Sequence, residues 1–426
     1  MTAEEGRRDD NELKAKRRAR VTDKAQRKLV PMSAAGRPLG LSVADWEALA
    51  ESRGLPRYRG RQIFDAIHRR GARDYAAMRE LPGALRERLN RELPIALPEI
   101  ARREDSADGS AKYGLRLSDG ALVEAVFMPG NSAGANVNEF EDARTAPRAG
   151  AGPGSRVEGP RSDGIPNPKS KIQNPKYTVC LSSQTGCAVD CAFCVTGRLG
   201  GGRNLTAEEI VGQLYAVSDD AGRGAEGMRI VLMGMGEPFL NAEEVIGALE
   251  IFFEIVSPRR VTVSTSGITP AFARFASLPR RPNLAVSINA ADEETRARLM
   301  PITRTYPLEG LVRAMREWPL EPRRRITVEY VLIAGINESP DAAGRLARLL
   351  AGIPVKVNAI PLNEDPVYLP GWKRPSEEAI DRFVRRLADG GVPVTVRRSR
   401  GPDASAACGQ LKGRTEDPRR RKIGDW

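Results

Sequence analysis

Histidine is nearly missing from this chain: His68 is the only one in 426 residues. Without a second imidazole, histidine-based acid–base catalysis and a histidine metal site are nearly excluded. His68 itself, one position past the apolar Ile67 of a helical stretch, reads as a packing or surface residue. Cysteine is scarce too, and five thiols in so long a chain make no disulfide scaffold, which points to a reducing cytoplasm. Aromatic residues make up only 5%. No apolar run precedes Pro31, and no stretch of about 18 uncharged apolar residues occurs, so neither a signal peptide nor a membrane span is supported. Negative charge falls short as well, since 55 Asp and Glu stand against 67 Lys and Arg, a net charge of +12. Residues 1–31 hold ten Lys and Arg against six Asp and Glu, and residues 396–426 hold nine against four. Basic ends of this kind suit contact with a phosphate backbone, although a merely solvated tail has the same composition.

The thiols that are present are concentrated. Cys187, Cys191 and Cys194 stand at C-x3-C-x2-C spacing within one short loop. Thiolates this close in sequence can converge on one inorganic cluster, and a 4Fe-4S cube held by three of them leaves one iron without a protein ligand. That iron could hold a substrate, and S-adenosylmethionine (SAM), chelated through its amino and carboxylate groups, is the usual occupant. A zinc knuckle would lack its fourth ligand, because no other Cys or His lies nearby. Three unrelated buried cysteines are the remaining reading.

With the aromatic Phe193 before Cys194, the loop resembles the C-x3-C-x-Φ-C signature of radical SAM enzymes. Flanking motifs narrow the resemblance: Cys180-Leu181-Ser182-Ser183-Gln184-Thr185-Gly186-Cys187, Arg203-Asn204-Leu205-Thr206, Met233-Gly234-Met235-Gly236-Glu237-Pro238 and Ala406-Ala407-Cys408-Gly409-Gln410-Leu411. In this order they resemble the RlmN/Cfr family of radical SAM RNA adenine methyltransferases. The resemblance covers roughly residues 40–128 and 176–415.

In chain order, residues 1–38 read as a basic, disordered arm. Residues 39–94 read as a helical module, with a capping-box start at Ser42 and Asp45, a second helix after Arg59 carrying Ile63, Phe64 and Ile67, and a third carrying Leu81, Leu85 and Leu89. Its polar positions are rich in arginine, including Arg57, Arg59, Arg61, Arg69 and Arg70, and the resemblance makes it an RNA-binding accessory domain. Residues 95–128 contain a β-hairpin, Lys112–Leu117 and Ala121–Met128 about an Asp119-Gly120 turn. Residues 129–175, rich in Gly, Pro, Ala, Asn, Ser and Arg, read as a flexible insertion that the family usually lacks. Over 176–397, apolar runs at 177–181, 229–233, 260–264, 283–288, 325–332, 355–361 and 393–397 alternate with helical segments. This predicts an α/β fold with a parallel sheet closed as a partial (βα) radical SAM barrel, its chemistry at the C-terminal ends of the strands. Residues 398–426 form a cysteine-bearing loop and basic tail.

Candidate site residues follow from these placements. Gly236 and Glu237 end the second barrel strand; alone they are an ordinary turn, but in the family this pair contacts SAM. Ser264, Ser287, Ile288, Asn289 and Asn363 lie at further strand ends and match SAM contacts in the same way. The family commonly has histidine at position 289, and asparagine can still hydrogen-bond but cannot titrate. Period-two alternation turns Glu124 toward solvent, whereas the resemblance makes it the proton acceptor of the family's V-E-A-V strand. Cys180 reads as a small hydrophobe on its own.

The resemblance implies a use for the two remaining thiols. Two SAM molecules are consumed per turnover: one methylates Cys408, and the other is cleaved at the cluster to a radical that takes hydrogen from the S-methyl group. The methylene radical adds to adenine, Glu124 removes the ring proton, and Cys180 attacks the Cys408 sulfur, releasing product and leaving a disulfide for external reductant. The implied substrate is an adenosine of 23S rRNA, methylated at C2, with tRNA as a second substrate and a flavodoxin- or ferredoxin-like electron donor. The alternatives are Cfr-type methylation at C8, an RNA-binding assembly factor without catalysis, and an activase acting on protein. Retention of all five cysteines and Glu124 disfavours the assembly factor, and the Cys408 tail and basic ends disfavour the activase.

Overall fold

The computed structural model describes residues 37–130, 177–397 and 409–411. The basic arm, the 131–172 core of the insertion, most of the C-terminal tail and Cys408 itself lie outside the described residues. The chain divides into two compact units at Ala96/Leu97.

The first unit is helical. Ser42 caps α1 (Val43–Ser52) with the expected box, its hydroxyl accepting from Asp45 N–H while the Asp45 carboxylate accepts from Ser42 N–H. Next come α2 (Tyr58–His68) and α3 (Gly83–Glu92). Trp46, Ile63, Phe64, Ile67, Leu85 and Leu89 fill the core. Gly60 lies where α1 and α2 meet, since a Cβ there would stand 2.3 Å from the Trp46 carbonyl oxygen. His68 is buried and stacks on Phe64 with ring centroids 4.3 Å apart. Burial, followed by the Arg73 charge, lowers its pKa to about 3, so it is neutral and packs.

The second unit is one ten-stranded sheet in sequential order. It starts antiparallel, with β1 (Glu99–Asp105), β2 (Ala111–Arg116), β3 (Leu122–Pro129) and β4 (Tyr177–Cys180). From β4 it runs parallel through β5 (Met228–Leu232), β6 (Val261–Thr265), β7 (Asn283–Ser287), β8 (Ile326–Leu332), β9 (Val355–Pro361) and β10 (Val394–Val396). The connections carry α4 (Val195–Arg198), α5 (Ala207–Asp220), α6 (Ala242–Ile255), α7 (Thr269–Ala276), α8 (Glu293–Leu299), α9 (Leu308–Glu317), α10 (Pro340–Leu349) and α11 (Glu377–Asp389). This is the expected partial barrel of repeated βα units.

The strand register separates outside from inside. Tyr330 of β8 packs on Phe383 of α11, with centroids 5.1 Å apart, so its neighbour Glu329 points to the opposite, inner face. Ser287, Glu329, Asn358 and Thr395 are in register across β7–β10 and form a polar row there. The Asn358 amide donates to Glu329 Oε1 at 3.1 Å and the Thr395 hydroxyl donates to Asn358 Oδ1 at 3.0 Å. A barrel lined this way is built to receive a polar ligand rather than to fill itself with apolar side chains. No helix among the described residues is long and apolar enough to cross a membrane.

Candidate active site

The loop that leaves β4 carries the three thiols, and the turn that leaves β5 clasps it. Leu181 N–H donates to the Val231 carbonyl, and Ser183 N–H donates to that of Met235. The Ser182 hydroxyl donates to the Glu124 carbonyl at 2.6 Å and accepts from Met235 N–H at 2.9 Å, joining β3, the thiol loop and the Gly-Met-Gly turn. A Cβ on Gly234 would stand 2.7 Å from the Leu181 carbonyl, and one on Gly236 (φ +96°) 2.5 Å from Gln184 Cβ. These glycines therefore let the turn seat against the thiol loop.

Glu237, 2% exposed, completes the clasp. One carboxylate oxygen accepts from Phe239 N–H at 2.9 Å, and the other from Ser266 N–H at 2.6 Å. Burial raises its pKa, with these donors opposing. The Thr265 and Ser266 side chains also hydrogen-bond to this carboxylate.

The thiols face one another closely enough to interact electrostatically. Burial pushes Cys187 up to about 12, with Cys194, Glu237 and Asp190 adding to it. Cys191 rises well above its ordinary value through burial, then through Cys194 and Cys187. Three half-buried thiols so arranged cannot all ionise easily without positive charge among them, which is what iron supplies. Among the described residues no group of His, Cys, Asp and Glu converges tightly enough for a single metal ion. A cluster differs, because each thiolate binds its own iron and the three sulfurs stand farther apart. Cys191 and Phe193 pack against an apolar shell of Ala290, Leu299, Met300, Ile333 and Leu362, which limits water around the thiols. The donor set therefore fits a cluster better than zinc.

Cys180 lies on the inner face beside Val126, Val231, Met235 and Leu411. No disulfide joins the described cysteines. The implied partner of Cys180, Cys408, lies outside them. The covalent neighbour of Cys408 is placed, however, since Val195 N–H donates to the Gly409 carbonyl at 2.8 Å and the Thr196 hydroxyl to that of Leu411 at 2.7 Å. The tail thus returns to the residues just after Cys194.

Glu124 is buried rather than turned to solvent, because β3 is covered on both faces. It stands two residues before Val126, which is in register with Cys180. Lys112 Nζ lies 3.8 Å from Glu124 Oε1 and 3.0 Å from Glu104 Oε2. Sequence reasoning missed Lys112, although its place in an alternating strand opposite the acidic one offered a signal.

The remaining strand ends gather on the same rim. Ser264 and Ser287 are half-buried, as is Asn363 just past β9. Ile288 is fully buried. Asn289 (φ +58°) accepts from Val331 N–H at 2.8 Å through Oδ1 and meets Met300 Sδ at 3.1 Å through Nδ2, so its side chain locks β7 to β8. Arg296 of α8, also missed, is fully buried beneath this rim.

A parallel partial barrel with three thiols gathered in the loop after its first strand defines a radical SAM enzyme, and residues 181–347 match the Radical SAM superfamily. Residues 39–95 match the Ribosomal RNA large subunit methyltransferase N-terminal domain. The chain is 41% identical over 381 residues to the dual-specificity RNA methyltransferase RlmN of Geobacter sulfurreducens, covering 88% of this chain and 92% of that one. It is 41% identical over 392 residues to the RlmN of Sorangium cellulosum, covering 88% and 95%. A radical SAM methyltransferase from Sphaerobacter thermophilus has the same fold, with TM-score 0.73, 39% identity and coverage of 88% and 99%. The chain belongs to the RlmN family of radical SAM RNA methyltransferases.

Proposed function

We propose that this enzyme methylates C2 of an adenosine in 23S rRNA, and of an adenosine in tRNA, through a methyl group carried on Cys408. The supporting observation is the seating of Leu411, three residues after Cys408, against Cys180 and Val126, which puts one end of the catalytic tail beside β3 and the thiol loop.

Cys187, Cys191 and Cys194 would hold a 4Fe-4S cluster, and Gly236, Glu237, Ser264, Ser287, Ile288, Asn289 and Asn363 would hold SAM around the rim. When bound, these groups supply the methyl carbon and the one-electron chemistry that an unreactive ring carbon requires. The tail presents the Cys408 sulfur and its methyl carbon to the base, leaving a thioether between Cys408 and the adenine. Glu124 takes the ring proton, and Lys112 beside it balances the carboxylate charge before that transfer. Cys180 then attacks the Cys408 sulfur: an S–S bond forms, the S–C bond to the RNA breaks with its electron pair left on the methylene carbon, the proton given up by the Cys180 thiol completes the methyl group, and a low-potential donor must reduce the disulfide. The exposed arginines of the helical unit contribute phosphate contacts.

Mass spectrometry of nucleosides from rRNA and tRNA, modified in vitro by the reconstituted enzyme, tests this reading. It predicts 2-methyladenosine in both RNAs. 8-Methyladenosine, or 2-methyladenosine in rRNA alone, would contradict the assignment of position or of the second substrate.

A further inference from the structure

We infer that Arg296 is a positioning residue for electrons: its buried guanidinium compensates the charge of the thiolate-held cluster and eases one-electron reduction. The inference rests on the cluster reading and extends it to a residue outside the ligand loop.

Arg296 is fully buried. Its guanidinium donates only to uncharged acceptors: the carbonyls of Ile288 at 3.1 Å, Ser266 at 2.8 Å and Ser287 at 3.1 Å, and the Thr303 hydroxyl at 2.7 Å. Among the described residues no carboxylate stands within ion-pair distance of it. Glu293, the one carboxylate that acts on it electrostatically, accepts the Leu308 N–H instead. A buried cation without an anion is costly, and such charges are kept only where a partner completes them. The thiol loop lies against the helix that carries Arg296: Ala192 N–H donates to the Leu299 carbonyl at 2.9 Å, and Cys191 packs against the apolar shell of Leu299 and Met300, which brings the Cys191 sulfur within electrostatic reach of the guanidinium. Burial lowers Arg296 to about 10, which still leaves it charged at neutral pH.

Three thiolates make an oxidised 4Fe-4S cluster a net anion, and each electron added deepens that charge. A fixed cation behind Cys191 favours the reduced form more than the oxidised one, and net charge and burial are levers that set such potentials. The same fork ties the ends of β6 and β7 together, so a clamp role has to be separated from an electrostatic one.

The test is an electron-paramagnetic-resonance redox titration of the full chain, reconstituted anaerobically and reduced with dithionite in the absence of SAM. Arg296→Met should keep its iron yet accept the electron about tenfold less readily, a midpoint about 59 mV lower. Arg296→Lys should restore most of the shift. Thr303→Asp keeps the guanidinium fork and cancels its charge, so its midpoint should also fall; this variant decides the matter should Arg296→Met not fold. A wild-type midpoint in iron-replete Arg296→Met, or in Thr303→Asp, would overturn the inference. A wild-type protein that takes up no cluster would instead overturn the reading beneath it.

Discussion

The two units treat positive charge in opposite ways. The helical unit keeps its arginines at the surface, where Arg57 pairs with Glu47, Arg69 with Asp65 and Arg70 with Glu80, all partly in water. Such pairs are screened and contribute little to stability. The sheet unit buries Lys112 and Arg296, one between Glu104 and Glu124 and the other against backbone carbonyls at the ends of β6 and β7. Burial of a charge has to be justified by what it faces, and here the two buried cations face the proposed proton acceptor and the proposed electron acceptor. The surface arginines are suited to a diffuse anionic partner, the buried pair to defined atoms.

Perturbing the sheet unit should produce the largest effects. Cys191→Ala removes one of three ligands that have no substitute among the described residues, so iron and sulfide content, and with them all methylation, should be lost; full iron retention would sink the cluster assignment. Glu124→Gln should lower single-turnover product formation by about 10²–10⁴ without changing iron content, the usual range for a lost general base. Lys112→Met should lower it by a smaller factor, roughly tenfold to a hundredfold, because the carboxylate remains but loses a charged neighbour. Equal effects from both variants would contradict a proton transfer that Glu124 carries and Lys112 only assists.

In the helical unit the effects should be smaller and of another kind. His68, held neutral with a pKa near 3, takes up no proton in the folded unit until strongly acidic pH, while the unfolded chain protonates it near pH 6.5. Its contribution to stability is therefore full above about pH 6.5 and is lost as pH falls toward 3, by up to about 1.4 kcal/mol per pH unit. Hydrogen exchange at the amides of α2 should show this acid slope in the full chain, and His68→Leu should flatten it. The smallest effect belongs to Arg61, exposed on the same helix. Arg61→Ala should leave the thermal midpoint unchanged and reduce the salt dependence of RNA binding by about one unit of slope. A destabilised Arg61→Ala protein would blur the contrast between the two units.

The same contrast decides what was legible in the sequence. The parallel strands could be read almost to their ends, since apolar runs such as 355–361 act locally. The strand β1 escaped because it is an edge: Glu-Ile-Ala-Arg-Arg-Glu-Asp is mostly exposed, and its pairing with β2 lies in the backbone rather than in side-chain pattern. The short helices α7 and α8 gave too few turns for a periodic signal. Alternation failed at Glu124 because β3 is buried on both sides, a tertiary fact. Arg296, set in Thr-Arg-Ala-Arg-Leu, looks like a surface arginine, and only the fold shows which of its two arginines turns inward. Gly236 and Asn289 could be located by motif, yet their packing against Gln184 and Val331 required coordinates.

The central claim is that two cysteines with different duties act on one RNA, and denaturing electrophoresis of Cys180→Ala and Cys408→Ala, each incubated with SAM, reductant and unmodified rRNA, tests it most directly. Cys180→Ala can form the bond to RNA but cannot release it, so it should accumulate a slow-migrating, nuclease-sensitive protein–RNA adduct. Cys408→Ala has no carrier sulfur and should form none. Normal turnover by Cys180→Ala, or an adduct from Cys408→Ala, would contradict the account.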